Sequence, residues 1–358
     1  LIVAGSESGV LILDRQKFSQ AESSQIVNTP GSAQDVYIKD HWLYIADRRA
    51  GVLLKDLNLI DAAHRQISPR WGESFCVANN LLYVAQAKAG VEVFDLSEPG
   101  QPQSVAFWPS LTALRVSVWG NFLALANGFS GVEIYDISNL KQPLIVSTID
   151  EFQVLDVVFD QNRLYLATKS NGLQLYELDQ GGKIHDLAGI MTPFPMNQFS
   201  NAVAVVVKNN IAYVANGLSG LMIVDFNRPD KPIILSLLDI EGFSKGVYVK
   251  GDRAFVVSQA GGVSVVNAEN LKAPRLESYM AVQGLSRGFQ VDGGKFYLPR
   301  NNLGVSMLPV PLRVEEIDRK SSNHILCTLP MVEFSGQYDL QVGTQDGLIV
   351  HEGVINYQ

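Results

Sequence analysis

The 358-residue sequence predicts an all-β fold assembled from one repeated unit, and three observations carry that expectation. A glycine followed by an apolar or semi-polar run and an acidic residue recurs along the chain. The recurrences are almost evenly spaced. Each is preceded by a second short apolar run bounded by residues that favour tight turns. The clearest copy is the stretch from Asn210 to Asp225, two short strands joined by a polar, glycine-containing turn and closed by an aspartate.

The anchor glycines are Gly9, Gly51, Gly90, Gly131, Gly172, Gly220, Gly262 and Gly304, at successive spacings of 42, 39, 41, 41, 48, 42 and 42 residues. A period near 42 with strand content throughout points to a β-propeller, one four-stranded blade per repeat. The run that follows each glycine ends on Asp14, Asp56, Asp95, Asp136, Glu177 and Asp225, and then on Asn267 and Pro309.

Within a repeat, the first strand ends in a two-residue turn: Asn79-Asn80, Gly120-Asn121, Asn209-Asn210, Gly251-Asp252 and Gly293-Gly294. These residues accept the positive φ that tight hairpins demand. The second strand carries an aromatic at one fixed position (Tyr44, Tyr83, Tyr165, Tyr213, Phe255, Tyr297), with Ala124 as the exception. Two residues later stands Ala46, Ala85, Ala126, Ala167 or Ala215, small as crowding near a propeller axis requires. Both sets are read as packing. The acidic residue that closes the third strand is read as turn chemistry, its side chain bonding the following backbone. Pro102, Pro143 and Pro232 then open the fourth strand, an edge where a missing N–H is tolerated.

The ends of the repeat set the blade count. Leu1 to Ala4 reads as the second strand of a blade, so the first repeat lacks its innermost strand, and seven innermost strands follow. Eight blades are favoured, with the missing strand upstream or supplied by another segment. Seven is the alternative and leaves one repeat outside the ring, with exposed sheet edges. Residues 181–200 account for most of the 48-residue interval and read as a surface loop on one rim. The propeller is assigned to 1–311. The remainder, 312–358, reads as a β-rich tail with strands near 312–317, 324–329, 336–342 and 347–357, too short for a complete immunoglobulin-like sandwich of about 100 residues.

The third strand with its surroundings resembles the LVIVD-repeat family of bacterial and archaeal β-propellers. Leu221 to Asp225, with Pro232 after it and Ala212 to Ala215 before it, matches that repeat almost letter for letter. The resemblance covers about 1–311 and implies a propeller in exported or cell-surface proteins, often fused to other modules. It brings no catalytic residues. Asn267 and Pro309 depart from its closing Asp. The segment from Gly336 to Val342, followed by Gly347 and Val354 to Tyr357, is similar to the closing strands of IPT/TIG immunoglobulin-like domains.

Composition bounds the function classes. Hydrophobic residues at 47% and charged residues at 18% are globular values. No apolar run reaches the roughly 18–20 residues of a bilayer span. The net charge of −8 argues against a nucleic-acid partner. The chain opens at Leu1 without an initiator methionine or a basic leader, and reads as a mature or excised segment of a longer polypeptide. Cys76 and Cys327 are read as two free thiols, with a disulfide as the alternative; a disulfide framework or thiolate metal site is excluded by count. None of His41, His64, His185, His324 and His351 stands at ligand spacing from another His, Cys or Asp, so no metal, cofactor or catalytic constellation is expected.

Topology supplies a candidate surface. The fourth-to-first connections and the second-to-third turns of a propeller emerge on one face, around the channel mouth. That face collects Trp71, Trp108, Phe129, Phe152, Phe194, Phe199 and Phe243, with Arg48, Arg49, Arg70, Lys88, Lys169, Arg287 and Arg300. Aromatics and arginine are the residues enriched at binding hot spots; the competing reading is that several aromatics fold back to plug gaps between blades. The expectation is a non-enzymatic binding or scaffold propeller that meets a protein or glycan partner on this face. An enzyme or lectin with a small-molecule site at the channel mouth is the alternative, and convergent carboxylates in a mouth pocket would favour it.

Overall fold

The computed structural model describes residues 2–4, 10–12, 25–59, 61–110, 112–150, 153–169, 171–191, 201–259, 261–285, 287–310, 316–321, 324–328, 336–344 and 347–357. Every regular element among them is a strand. Seven four-stranded antiparallel sheets follow one another in chain order. Blade 1 is Ala33–Lys39, Trp42–Asp47, Gly51–Asp56 and Arg65–Ser68. Blade 2 is Ser74–Ala78, Leu81–Ala85, Val91–Asp95 and Gln103–Trp108. Blade 3 is Arg115–Trp119, Phe122–Ala126, Val132–Asp136 and Leu144–Ile149. Blade 4 is Val154–Asp160, Arg163–Thr168, Gly172–Leu178 and Ile184–Ile190. Blade 5 is Ala204–Lys208, Ile211–Ala215, Leu221–Asp225 and Ile233–Leu238. Blade 6 is Phe243–Lys250, Arg253–Gln259, Gly262–Asn267 and Arg275–Met280.

Blade 7 settles the count. Its first three strands are Gln290–Asp292, Lys295–Pro299 and Val305–Pro309, and its fourth is Gln25–Val27, from the other end of the chain. Val27 pairs with Val305, Ile26 with Ser306 and Gln25 with Met307. The ring therefore has seven blades, the alternative count, not the favoured eight. The first repeat gives the ring only its outermost strand. Its Ile2–Ala4 and Val10–Ile12 form a two-stranded ladder that belongs to no blade. The edge that an eighth blade would have had to cover is taken by Gln25–Val27.

The core lies between blades. Seven apolar clusters each join two neighbouring blades, from Tyr44, Leu54, Leu82 and Phe94 between blades 1 and 2 to Val27, Val36, Tyr297 and Met307 between blades 7 and 1. The repeated aromatics and alanines of the second strand are all buried, as their packing reading predicts. In blades 1 to 6 the pairing of the third and fourth strands shifts register once near its middle, a bulge that adds twist to the outer blade.

The turn chemistry follows the sequence reading closely. Asn79, Asn80, Asn209 and Asn210 all have φ between 50° and 62°. The closing acids accept the amide two residues on: Asn58 N to Asp56 (2.9 Å), Ser97 N to Asp95 (2.8 Å), Ser138 N to Asp136 (2.9 Å) and Asn227 N to Asp225 (2.7 Å). Asn267 makes the same contact to Glu269 N at 3.1 Å, so its departure from aspartate is conservative in function. One boundary moves. The interval read as a loop from 181 contains the fourth strand of blade 4, Ile184–Ile190, which pairs along the third strand, Gly172–Leu178. In the tail, Glu316–Ser321 pairs with His324–Thr328, and Gly336–Thr344 with Gly347–Tyr357, as two separate ladders.

Candidate interaction face at the channel mouth

The second-to-third turns form one rim, and backbone bridges tie most of them to the next blade. Bridges join Arg48 to Gly72, Ala87 to Ala113, Gly128 to Val154 and Gly217 to Ser244, and Asn301 to Ala33 across the ring closure. Each fixes a turn against the segment entering the neighbouring first strand. The residue after the bridge point is then carried outward at the tip. Phe129 is 82% exposed and Leu218 56%, while Arg49, Lys88 and Lys169 are exposed cations.

The expected aromatic-basic face is partly assembled. Trp71 is 39% exposed, and its indole N–H donates to Glu73 Oε1 at 2.6 Å. Arg48 Nε reaches the same oxygen at 3.1 Å. Arg70 pairs with Glu92 at 3.1 Å and lies 4.3 Å over the Phe107 ring. Arg300 is half-buried, with Nε on Gln283 O (2.8 Å) and Nη1 on Ser306 Oγ (3.0 Å).

Other residues of that set are elsewhere. Trp108 is a correction: it is buried beside Tyr83, and its N–H donates to Leu140 O, so it fills the gap between blades 2 and 3. Phe243 is half-buried at the start of blade 6, its ring beneath Gly217. Arg287 leaves the surface for the axis, where Nη1 donates to Leu155 O. Phe152, Phe194 and Phe199 lie outside the described residues.

The axis holds charges that sequence reasoning missed. Asp35 on blade 1, Arg115 on blade 3, Asp156 on blade 4 and Arg287 before blade 7 converge there. Asp35 Oδ1 takes Val36 N (2.9 Å), Oδ2 takes Phe75 N of blade 2 (3.0 Å), and Arg115 stands at 3.6 Å. Asp156 repeats the device, taking Val157 N (3.1 Å) and Val205 N of blade 5 (3.0 Å). Ser74 Oγ to Leu114 O (3.0 Å), Phe159 N to Ser117 Oγ (2.8 Å) and Ile38 N to Gln290 Oε1 (2.7 Å) stitch other junctions. Burial raises the Asp35 carboxyl above its usual range, against the pull of Arg115 and its two N–H donors. Burial, helped by Arg115, brings Arg287 down to about 10, still a cation at neutral pH. Carboxylates do converge near the mouth, but their oxygens are committed to backbone amides and arginine. The legible signal was an Asp-Val step inside an apolar first strand, present twice.

A second buried carboxylate ties blade 1 to blade 2. Glu92 accepts from Ser68 Oγ (2.6 Å), Gln86 Nε2 (2.8 Å), Ser104 Oγ (2.9 Å) and Arg70. Cys76, on the first strand of blade 2, is a free thiol, and burial pushes it up to about 11. Among the described residues, no group of three His, Cys, Asp or Glu could hold a metal ion, and no helix is long and apolar enough to cross a membrane.

Comparison with known proteins agrees with this architecture. The LVIVD repeat matches residues 30–56, 112–151 and 200–236, which fall on blades 1, 3 and 5. No curated protein matches the chain. Among solved structures, the RRP9 WD40 repeats align with a TM-score of 0.64 at 8% identity, covering 81% of this chain and 98% of that one. U3-55K aligns at 0.63 and 9% identity, over 81% and 99%. The extracellular domain of the putative one component system BT4673 from B. thetaiotaomicron aligns at 0.58 and 10% identity, covering 91% of this chain and 47% of that one. At these identities the likeness concerns the fold. The chain is a seven-bladed β-propeller carrying LVIVD repeats.

Proposed function

We propose that the chain is a non-enzymatic binding propeller, a rigid ring within a larger exported or cell-surface protein that presents one face to a protein or glycan partner. The observation that carries this reading is the rim itself. Most of its turns are bridged to neighbouring blades, while the tips differ from blade to blade: Arg49, Lys88, Phe129, Lys169 and Leu218. A fixed scaffold with varied, exposed tips is the arrangement by which loops carry recognition. The opposite face is occupied by Asn-Asn hairpins and Asp-closed turns whose polar groups are engaged locally. Placement outside the cell is supported by the LVIVD resemblance and by the shared fold of the extracellular BT4673 domain.

The second reading, a small-molecule site at the mouth, is favoured by the convergence of Asp35, Asp156, Arg115 and Arg287. It is the weaker one, because the two aspartates hold neighbouring blades together through backbone amides and a catalytic acid needs a free oxygen aimed at substrate.

Photo-crosslinking in the source cells tests the reading. A crosslinker at Phe129 or Leu218 is expected to yield a discrete protein or glycan adduct, and one at Asn80 on the opposite face none. Adducts from Asn80 alone would overturn it.

A further inference from the structure

We propose that the rim sector across blades 1 and 2, comprising Arg48, Arg49, Arg70, Trp71 and Lys88, docks an acidic peptide segment of a protein partner. Its carboxylates would sit on the guanidinium and ammonium groups, with an apolar side chain against the Trp71 indole. The inference rests on the reading of this rim as the interaction face and names the partner class for one part of it.

Charge is layered in this sector. Arg48 and Arg70 side chains are each 41% exposed, whereas their carboxylate partners Glu73 and Glu92 are 14% and 6% exposed. Anions lie beneath and cations above. Arg49 and Lys88 are exposed at adjacent turn tips and add positive charge. The outward field is therefore positive on a chain whose net charge is −8. Such a local reversal steers an anionic partner to one place and repels it from the remainder.

The side chains are also ordered before a partner arrives. Glu73 Oε1 holds both the Arg48 Nε and the Trp71 indole N–H. Arg70 is fixed by Glu92 and by the Phe107 face, and Glu92 is itself held by Ser68, Gln86 and Ser104. The Arg48–Gly72 bridge locks the two halves of the sector at the backbone. Little rotamer freedom remains to be lost on binding, the usual cost for arginine and tryptophan at an interface. Pre-fixed guanidinium groups present donors suited to carboxylates, and tryptophan and arginine are the strongest hot-spot residues.

The length of the positive surface selects a peptide. A polyanionic glycan or nucleic acid needs a continuous basic track, yet farther round the rim the connection between blades 5 and 6 carries exposed Asp239. A long polyanion laid over the mouth meets that repulsion; a short acidic segment with an apolar residue does not.

The test is selection of phage-displayed random 12-residue peptides on the intact protein, with heparin as a polyanion probe. Binding is then measured to R49E/K88E, Trp71→Ala and F129S/L218S, each checked for an unchanged melting curve. All of these residues are exposed or part-exposed, so folding is expected to survive. The expected result is enrichment of peptides with Asp or Glu around an apolar residue. Their affinity should fall at least tenfold on R49E/K88E and on Trp71→Ala, weaken with salt, and hold on F129S/L218S. Neutral or basic peptides, or acidic ones sensitive only to F129S/L218S, overturn the sector assignment and leave the rim as the interaction face. Heparin binding lost on R49E/K88E, with no acidic peptide enriched, overturns the partner class. Peptides insensitive to every one of these substitutions overturn both readings.

Discussion

The carbonyl oxygen of Val27 lies against the Cα of Gly304, so close that a Cβ added to Gly304 would stand 2.3 Å from it. The same relation joins Gly131 to Ile149 O (1.8 Å) and Gly220 to Leu238 O (2.2 Å). In each blade where it occurs, the anchor glycine opens the third strand at positive φ while the end of the fourth strand folds over it. This gives the repeated glycine a physical reason. It also identifies Gln25–Val27 as the fourth strand of blade 7, built like the others although it comes from the opposite end of the chain.

Replacing an anchor glycine should therefore cost more than the φ preference alone. Gly131 has φ 74° and a backbone oxygen where Cβ would sit; Gly120 has φ 55° and open space. Gly120→Ala is expected to destabilise by about 1 kcal/mol, the left-handed penalty for an L-residue. Gly131→Ala should cost about 3 kcal/mol or more, because strand four must also shift. Urea denaturation of the two variants checks the contrast, and equal losses would refute the packing argument.

Ring closure predicts a sharp boundary at the N-terminal side. A chain beginning at Gln25 retains the closing strand; one beginning at Gly31 exposes the edge of Val305–Pro309 and removes buried Val27. The second is expected to melt on the order of 10 °C lower than the first, from lost strand pairing and apolar burial in a chain of this size. Calorimetry of the two chains decides it, and coincident transitions would mean that the blade 7 pairing contributes nothing.

The contrast between repeat and closure explains what the sequence could reveal. Strand order, turn positions and the Asp-closed turns depend on neighbours along the chain, so Gly131, Asn209-Asn210 and Asp136 announce their roles locally. Blade number depends on whether residue 27 meets residue 305, a pairing that no local pattern encodes. The functional face divides in the same way. Topology assigned Trp71 and Phe129 to a rim, but the buried state of Trp108 and the axial position of Arg287 depend on blade twist and on what the next blade leaves open. Asp35 and Asp156 were overlooked because their partners, Phe75 N and Val205 N, lie 40 and 49 residues away.

Asp35, at the axis, gives stability a pH dependence. Burial raises Asp35 in the folded state, outweighing Arg115 and the two amide donors. A raised carboxyl means that the folded chain holds the proton more tightly than the unfolded one. Its contribution is fully present below the unfolded value of about 3.9 and is lost as pH rises through the folded value. Relative to Asp35→Asn, the wild-type protein should therefore gain stability as pH falls through that window, and the difference should flatten on either side. Urea midpoints of both proteins between pH 3 and 7 measure it. A wild type that loses ground on acidification would show that Arg115 dominates instead.

Cys76 offers a chemical readout of the closed ring. Its thiol is pushed by burial up to about 11, against an unperturbed 9.0. At pH 8 the thiolate fraction is then smaller by a factor of about 100, and thiolate is the reacting form. In a Cys327→Ser background, labelling by a maleimide should be about 100-fold slower than for the urea-unfolded chain. Equal rates would place the thiol in free contact with water.

Glu92 links stability to the proposed docking sector. Its carboxylate collects Ser68, Gln86, Ser104 and Arg70, so Glu92→Ala strands several donors between blades 1 and 2. Arg70 is partly exposed and recovers water, which moderates the loss relative to a wholly buried pair. A destabilisation of about 2–3 kcal/mol is expected, with Glu92→Gln losing less because it keeps two acceptor lone pairs. The same change frees Arg70 from one of its two supports while leaving every exposed cation in place. Peptide affinity at the sector should consequently fall several-fold from the lost ordering, with a steeper salt dependence because the counter-charge beneath Arg70 is gone. A loss of stability without any loss of affinity would separate the two roles and confine Glu92 to joining the blades.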